Sequence, residues 1–140
     1  MNSHQTALVK KTWQTVAALD PTVVGQLFYN RLFEVNPELK RLFKSPVTEQ
    51  SKKLITMISY VIAKLDNLEE IAGEVGKLAV RHSAYGVRAE HYAMVGEALL
   101  WTLEKGLQES WNAETEEAWT VCYRILSNAM IVASSQDIAA

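Results

Sequence analysis

Cysteine, proline and glycine are scarce in this chain of 140 residues, which contains one, three and six of them. The single cysteine, Cys122, cannot close a disulfide within the chain, so a small fold held together by disulfides is excluded. The prolines and glycines lie between periodic segments, and the sequence shows no linker and no internal repeat. We therefore expect a single domain over residues 1–140.

An excess of basic residues and long apolar runs are lacking as well. Fourteen Lys and Arg against sixteen Asp and Glu give a net charge of −2, without the basic excess that nucleic-acid binding uses. No apolar run approaches the roughly 20 residues that cross a bilayer. The opening residues, Met1–Gln5, contain no apolar export segment. We expect a cytoplasmic protein that binds neither nucleic acid nor a membrane.

Two pairs of residues divide the first third of the chain. Asp20-Pro21 and Asn36-Pro37 each join a residue that caps a helix to a proline that can open the next one. Apolar residues recur at helical spacing on either side of Asp20-Pro21. The pattern predicts one helix after Ser3, a second from Pro21, and a short helical turn from Pro37 to Phe43.

Helical periodicity continues through the rest of the chain. After Ser45-Pro46 one stripe recurs until Asp66-Asn67, and a second stripe follows with Gly73 and Gly76 in its first turns. The first stripe comprises Leu54, Ile58, Val61, Ile62 and Leu65, and the second comprises Leu68, Ile71, Val75 and Leu78. Two long helices are predicted beyond Glu90 and around Trp119. Because no segment alternates with a period of two, we predict an all-α fold of seven or eight helices.

One histidine extends the second of these stripes. His82 lies four residues after Leu78, on the face that carries the apolar residues. A buried imidazole needs partners for its ring nitrogens, because an unmade buried hydrogen bond costs about 1–3 kcal/mol. A neighbouring carbonyl would serve as such a partner, and so would an iron ion. The spacing alone leaves both interpretations open.

Other kinds of functional site receive no support. His4, His82 and His91 lack the spacing of a zinc site, and Cys122 is far from them in sequence. Gly73 and Gly76 lie in a predicted helix, whereas a phosphate-binding loop follows a strand. No G-x-S-x-G elbow of a hydrolase is present.

Several segments resemble those of the globin family, most closely neuroglobin and the bacterial single-domain globins. Residues 78–87, which include Arg81-His82, and the following Glu90-His91-Tyr92 and residues 95–100 resemble the proximal haem segment of globins. Residues 27–43 are similar to the second helix and the corner that follows it, and Ala118-Trp119 with Tyr123 are similar to the last helix. The resemblance covers practically the whole chain and implies a globin fold around a haem pocket.

The resemblance assigns a role to each matching residue. It implies haem b (iron protoporphyrin IX) as cofactor, His82 as the iron ligand, and Tyr29 with Gln50 as donors to a diatomic ligand. The remaining positions implied are the following: Phe43 packs on the porphyrin, Leu54 crowds the ligand, Val87 and Val95 form apolar walls, Tyr92 lies on the proximal side, and Lys53 reaches a propionate. Without the resemblance, the apolar members would be ordinary core residues and Lys53 a solvated charge.

The chain departs from the family pattern at two positions. Gln50 stands where neuroglobin has a second histidine, so coordination by two histidines lacks its candidate. Tyr29 with Gln50 resembles the distal pair of flavohaemoglobins instead. Those proteins also place a glutamate about fifteen residues beyond Trp119, where this chain has Ser134. The proximal network of that group is therefore expected to be incomplete.

Three functions remain open at this stage. A haem globin that binds O2, CO and NO, for oxygen storage or delivery, is the first. Nitric oxide dioxygenation is the second, and it requires an external reductase because the sequence contains no flavin or nicotinamide module. The third is a gas sensor that acts through a partner, or a helical module without haem. The oligomeric state is left open.

Overall fold

The described part of the molecule is built from helices joined by short connections. The structure is a computed structural model that describes residues 1–67 and 72–139, with side chains as far as residue 133. Within these residues the helices are α1 (Ser3–Ala17), α2 (Pro21–Val35), α3 (Val47–Ala63), α4 (Ala72–Ala84), α5 (Ala89–Leu107) and α6 (Ala113–Ala139). Short 3₁₀ segments, Pro37–Leu42 and Gln108–Ser110, join α2 to α3 and α5 to α6. The all-α prediction is confirmed.

The predicted helix boundaries at the two prolines are confirmed. The Asp20 side chain accepts a hydrogen bond from the Thr22 amide at 2.9 Å, and Pro21 opens α2. Asn36 ends α2, and the 3₁₀ segment begins at Pro37. The third helix, however, is shorter than its apolar stripe, because it ends at Ala63. Leu65 nevertheless remains buried.

The helix that carries His82 is only partly buried. Val75, Leu78 and His82 are half-buried, and Ala79 is the buried residue of α4. His82 therefore shares its helix face with Val75 and Leu78 as predicted, but this face is only partly covered. Its first members, Leu68 and Ile71, lie outside the described residues.

The first and last helices pack together through tryptophan. The rings of Trp13 and Trp119 lie 6.0 Å apart between centroids. Trp119 Nε1 donates to Thr12 Oγ1 at 2.9 Å, and Trp13 Nε1 donates to Ser59 Oγ at 3.0 Å. Both indole N–H groups are therefore satisfied within a core formed by α1, α3, α5 and α6, to which α2 adds Val24.

A glycine allows α2 and α3 to approach each other closely. A Cβ atom at Gly25 would lie 2.0 Å from Ser51 Oγ and 2.7 Å from Ser51 Cα. Ser51 is fully buried, and its hydroxyl donates to the Val47 carbonyl at 2.7 Å. This crossing places Tyr29, one turn after Gly25, in the same cluster as Leu54, almost one turn after Ser51.

Across the helices that the structure describes, none is both long enough and apolar enough to cross a membrane.

Candidate functional site

A second group of apolar side chains lies between α2, the first 3₁₀ segment, α3 and α5. We call it the pocket cluster. Its buried members are Phe28, Tyr29, Leu32, Leu39 and Ala98, and its half-buried members are Phe33, Leu42, Phe43, Leu54, Met94, Val95 and Leu99. The structure therefore brings together four of the residues predicted for the site: Tyr29, Phe43, Leu54 and Val95.

Tyr29 is the polar member of the pocket cluster. Its ring packs against three phenylalanine rings, those of Phe28, Phe33 and Phe43, at centroid distances of 4.9, 5.9 and 5.2 Å. The residue is 4% exposed, and its hydroxyl makes no hydrogen bond to another residue in the described ranges. Burial raises the pKa of this phenol to about 12. The hydroxyl therefore stays protonated and keeps a donor for a ligand.

His82 lies near the end of α4 with one ring nitrogen engaged. Its Nδ1 lies 2.8 Å from the Leu78 carbonyl oxygen. Because a carbonyl only accepts, Nδ1 carries the proton and Nε2 carries a lone pair. Burial lowers the pKa of His82, and the nearby Arg81 charge lowers it further, so the ring is neutral near pH 7. The carbonyl interpretation considered for His82 thus accounts for one nitrogen and leaves Nε2 available.

The corner after His82 turns sharply toward the pocket cluster. The Val87 amide donates to the His82 carbonyl at 3.0 Å, and Gly86 adopts a φ of +96°, which favours glycine. A Cβ atom at Gly86 would lie 3.4 Å from Leu42, a member of the pocket cluster. The corner therefore approaches the pocket cluster. Val87 is half-buried there.

Gln50 and Lys53 lie in the first turns of α3, with different surroundings. Gln50 is half-buried one turn before Leu54, so both lie on the same helix face. Lys53 is exposed, and its ammonium lies 3.4 Å from the Glu49 carboxylate. The predicted cation for a propionate thus has a protein partner already, which the sequence reasoning missed. The sequence indicated this ion pair, because Glu49 and Lys53 are four residues apart on the same helix.

On the other side of α5, a tyrosine from α6 holds the backbone. The Tyr123 hydroxyl donates to the Tyr92 carbonyl at 2.6 Å. A Cβ atom at Gly96 would lie 2.7 Å from the Tyr123 ring, so the glycine makes room for it. Burial raises the pKa of Tyr123, and the neighbouring Tyr92 raises it further. This contact was not predicted from the sequence. The side chain of Ser134, at the position where flavohaemoglobins have a glutamate, lies outside the described part of the chain.

His91 has a structural task. Its Nδ1 accepts a hydrogen bond from the Arg88 amide at 2.9 Å, at the start of α5. The residue is 9% exposed. This bond satisfies one of the free amide groups at the helix N-terminus. The signal in the sequence was a polar side chain three residues after Arg88, the residue that precedes the first turn of α5.

The arrangement suits haem. The neutral His82 ring offers a nitrogen lone pair, which is what an axial iron ligand requires. The pocket cluster offers half-buried aromatic and aliphatic surface for a porphyrin, and Tyr29 adds one hydroxyl that has no hydrogen-bond partner among the described residues. The residues present therefore fit the cofactor that the resemblance implies.

The fold and these residues define an all-helical domain that combines the pocket cluster with a neutral histidine near the end of α4, just before the corner that approaches that cluster. The sequence profile of the family described as Globin matches residues 26–130. The chain belongs to the globin family.

Individual relatives agree with this assignment. A flavohaemoprotein of Vibrio cholerae is 32% identical over 127 residues, which cover 89% of this chain and 32% of that protein. The chain therefore spans about a third of the length of that relative. Neuroglobin of Tetraodon nigroviridis is 28% identical over 144 aligned positions, which cover 93% of this chain and 90% of that protein.

Solved structures share the fold. A bacterial globin from Campylobacter jejuni superposes with a TM-score of 0.86 at 25% identity and covers 99% of this chain and 100% of its own. An engineered carbene transferase from Rhodothermus marinus also gives a TM-score of 0.86 at 21% identity, covering 99% and 96%. The second similarity supports the globin fold alone.

Proposed function

We propose that residues 1–140 form one haem b globin domain in which His82 holds the iron and the pocket cluster surrounds the porphyrin. Haem would supply the iron at which O2, CO or NO binds reversibly. The observation that carries the proposal is the hydrogen bond from His82 Nδ1 to the Leu78 carbonyl. This bond fixes the ring orientation and directs the lone pair to Nε2, the arrangement that metal-binding histidines use.

The other side of the pocket supplies hydrogen-bond donors. Tyr29 keeps a protonated hydroxyl among phenylalanine rings, where water is largely excluded. A ligand that gains negative charge accepts a stronger hydrogen bond in such surroundings than in water. Gln50, on the face of α3 that also carries Leu54, is the second donor. These donors favour O2, which becomes polarised on binding, over CO.

The test is replacement of the proposed iron ligand. His82→Gly is purified with haem and compared with wild type by ultraviolet–visible spectroscopy in the ferric and ferrous forms. We expect loss of the wild-type ferrous spectrum and its recovery when imidazole is added. The matched control is His91→Gln, because His91 is a histidine with a known task at the start of α5. The control is expected to keep the wild-type spectrum, and His82→Gly that keeps it without imidazole would refute the assignment.

Nitric oxide dioxygenation is the second candidate. The similarity to the globin part of a flavohaemoprotein and the unpartnered Tyr29 hydroxyl favour it. Each turnover leaves ferric haem, so an external reductase would have to restore the ferrous form. Consumption of nitric oxide with nitrate as product, measured with and without an added reductase, distinguishes this function from reversible oxygen binding. A rate that does not respond to the reductase would leave oxygen binding as the function.

A further inference from the structure

Charge is unevenly distributed along the chain. Residues 37–53 carry five cations, Lys40, Arg41, Lys44, Lys52 and Lys53, against two carboxylates, Glu38 and Glu49. This segment therefore has a charge of +3 in a chain whose net charge is −2, and the remainder carries −5. The positive charge is confined to the 3₁₀ segment, the corner after it and the first turns of α3.

Most of these cations have no acidic partner. Lys53 is paired with Glu49. The other four residues, which we call the cationic corner, are exposed and form no ion pair with any residue that the structure describes: Lys40, Arg41, Lys44 and Lys52. Unpaired charges on one surface create a local potential that attracts an oppositely charged partner and speeds its association.

The cationic corner adjoins the pocket cluster. Phe43 lies between Arg41 and Lys44 in sequence, and its ring lies 5.2 Å from that of Tyr29. Leu42 also belongs to the pocket cluster. A protein that docks on the cationic corner is therefore held next to the proposed haem pocket.

We propose that the cationic corner is the docking surface for the acidic face of an electron-transfer protein that carries flavin or an iron–sulfur cluster. This inference rests on the proposed function, because the partner reduces ferric haem. With a flavin partner, the anionic hydroquinone gives up one electron and becomes the neutral semiquinone. The electron converts ferric haem to ferrous haem, and no proton has to move.

The negative charge on the rest of the molecule favours a partner with one compact acidic patch over a partner with an extended anionic surface. Four carboxylates are exposed around the second 3₁₀ segment and the start of α6: Glu109, Glu114, Glu116 and Glu117. A membrane or a nucleic acid would extend beyond the cationic corner and meet a remainder that carries −5. A protein with one acidic face contacts the cationic corner alone.

The experiment uses the haem-loaded protein and reduced flavodoxin, an acidic flavoprotein, as the probe. Haem itself carries anionic propionates, so the reduction rate is measured with the cofactor in place. Stopped-flow absorbance gives the second-order rate of ferric haem reduction at low and high salt. We expect Lys40→Glu/Lys44→Glu to slow this rate about tenfold at low ionic strength, and the difference to shrink at high salt.

Lys11→Glu/Arg124→Glu is the matched control. Lys11 and Arg124 are exposed cations on α1 and α6, so the variant changes the net charge equally at other places. We expect it to slow reduction less than about twofold. An equal effect of both variants would show that net charge alone matters and would overturn the proposal. Photoreduced lumiflavin, a small reductant that needs no protein docking surface, is expected to react at a similar rate with all variants. An equal loss of rate with lumiflavin would show that the substitutions damage the haem site.

A second measurement separates this inference from the proposed function. The absorption spectrum of the wild type first reports whether haem binds. Oxidised flavodoxin is then titrated into the chain without haem, and amide chemical shifts are followed by NMR. Shifts at residues 37–53 that disappear in Lys40→Glu/Lys44→Glu support the docking surface even if haem binding fails. Shifts centred elsewhere, or none at all, refute it.

Discussion

The molecule has two apolar regions of different construction. Among the described residues, the core between α1, α3, α5 and α6 contains twelve buried residues and seven half-buried ones, whereas the pocket cluster contains five and seven. The two buried tryptophans of the core, Trp13 and Trp119, donate their N–H groups to Ser59 and Thr12. In the pocket cluster, the Tyr29 hydroxyl has no such partner within the part of the chain that the structure describes.

The comparison separates a closed core from a surface built for a ligand. A core gains stability when its apolar residues are fully buried and its polar groups are paired. A cofactor pocket keeps apolar surface for the cofactor and a few unpaired donors for specificity. The pocket cluster keeps half-buried apolar surface and one donor, the Tyr29 hydroxyl, and four of its members are among the residues that the family resemblance selects.

The largest expected loss of stability comes from a substitution that affects both the closed core and the pocket cluster. Gly25 lies between Val24 of the core and Phe28 of the pocket cluster. Gly25→Ala would place its Cβ atom against the side chain and backbone of Ser51, so α3 has to shift. We expect the free energy of unfolding in urea to fall by about 3 kcal/mol. Gly73→Ala, where no atom lies within 4 Å of the new Cβ atom, is the control and should not destabilise.

Alkaline pH probes the closed core. Burial raises the pKa of the Cys122 thiol from 9.0 to about 11, so the unfolded chain loses this proton first as pH rises. Stability from this group is complete below pH 9 and is lost as pH approaches 11, by roughly 2–3 kcal/mol. The free energy of unfolding in urea, measured at several pH values, tests this expected loss of stability. Cys122→Ala should show a shallower loss between pH 9 and 10, and an unchanged slope would contradict the explanation.

Tyr29→Phe tests the pocket cluster without altering its shape. If the proposed function holds, the loss of one charge-assisted hydrogen bond of about 1.5–3 kcal/mol speeds oxygen dissociation ten- to a hundredfold. Carbon monoxide dissociation should change far less. Stopped-flow rates are compared with those of Gln50→Leu and of Phe33→Leu, which changes the packing around the same ring. Equal changes for both gases in Tyr29→Phe would make Tyr29 a core residue.

The smallest expected effect lies at the edge of the closed core. Ser59→Ala removes the acceptor for Trp13, but this hydrogen bond is only partly buried, so water can replace the hydroxyl. We expect a loss of about 0.5–1 kcal/mol in unfolding free energy. Thr12→Val removes the acceptor for the fully buried Trp119 N–H and should cost about 1–3 kcal/mol. Thermal and urea unfolding of the two variants give the ranking.

Local sequence patterns predicted much of the fold, whereas contacts between residues far apart in the sequence were not predicted. The starts of α2 and of the first 3₁₀ segment were predicted because capping residues and prolines act within a few residues. The close approach of Gly25 to Ser51 depends on how two helices cross, and no local pattern shows it. The partial burial of α4 was not predicted for the same reason, because periodicity identifies the apolar face of a helix but not how deeply other elements cover that face.

The same distinction between local patterns and long-range contacts applies to the residues of the candidate site. Periodicity alone singled out His82, and the family resemblance was needed for Tyr29, Phe43 and Leu54, which would suit any helical core. The hydrogen bond that selects the His82 tautomer is local, one turn back to Leu78, and was considered from the sequence. The contact of Tyr123 with Tyr92 joins residues 31 apart and became visible only in the structure.

The hydrogen bond between Trp119 and Thr12 has a consequence for synthesis on the ribosome. The two partners are 107 residues apart, so the apolar face of α1 emerges long before the helix that covers it. At roughly 5–20 residues per second, this delay is on the order of 5–20 seconds. During that time Trp13 lacks its neighbour Trp119. The contact between α1 and α6 therefore forms only after residue 119 has been synthesised.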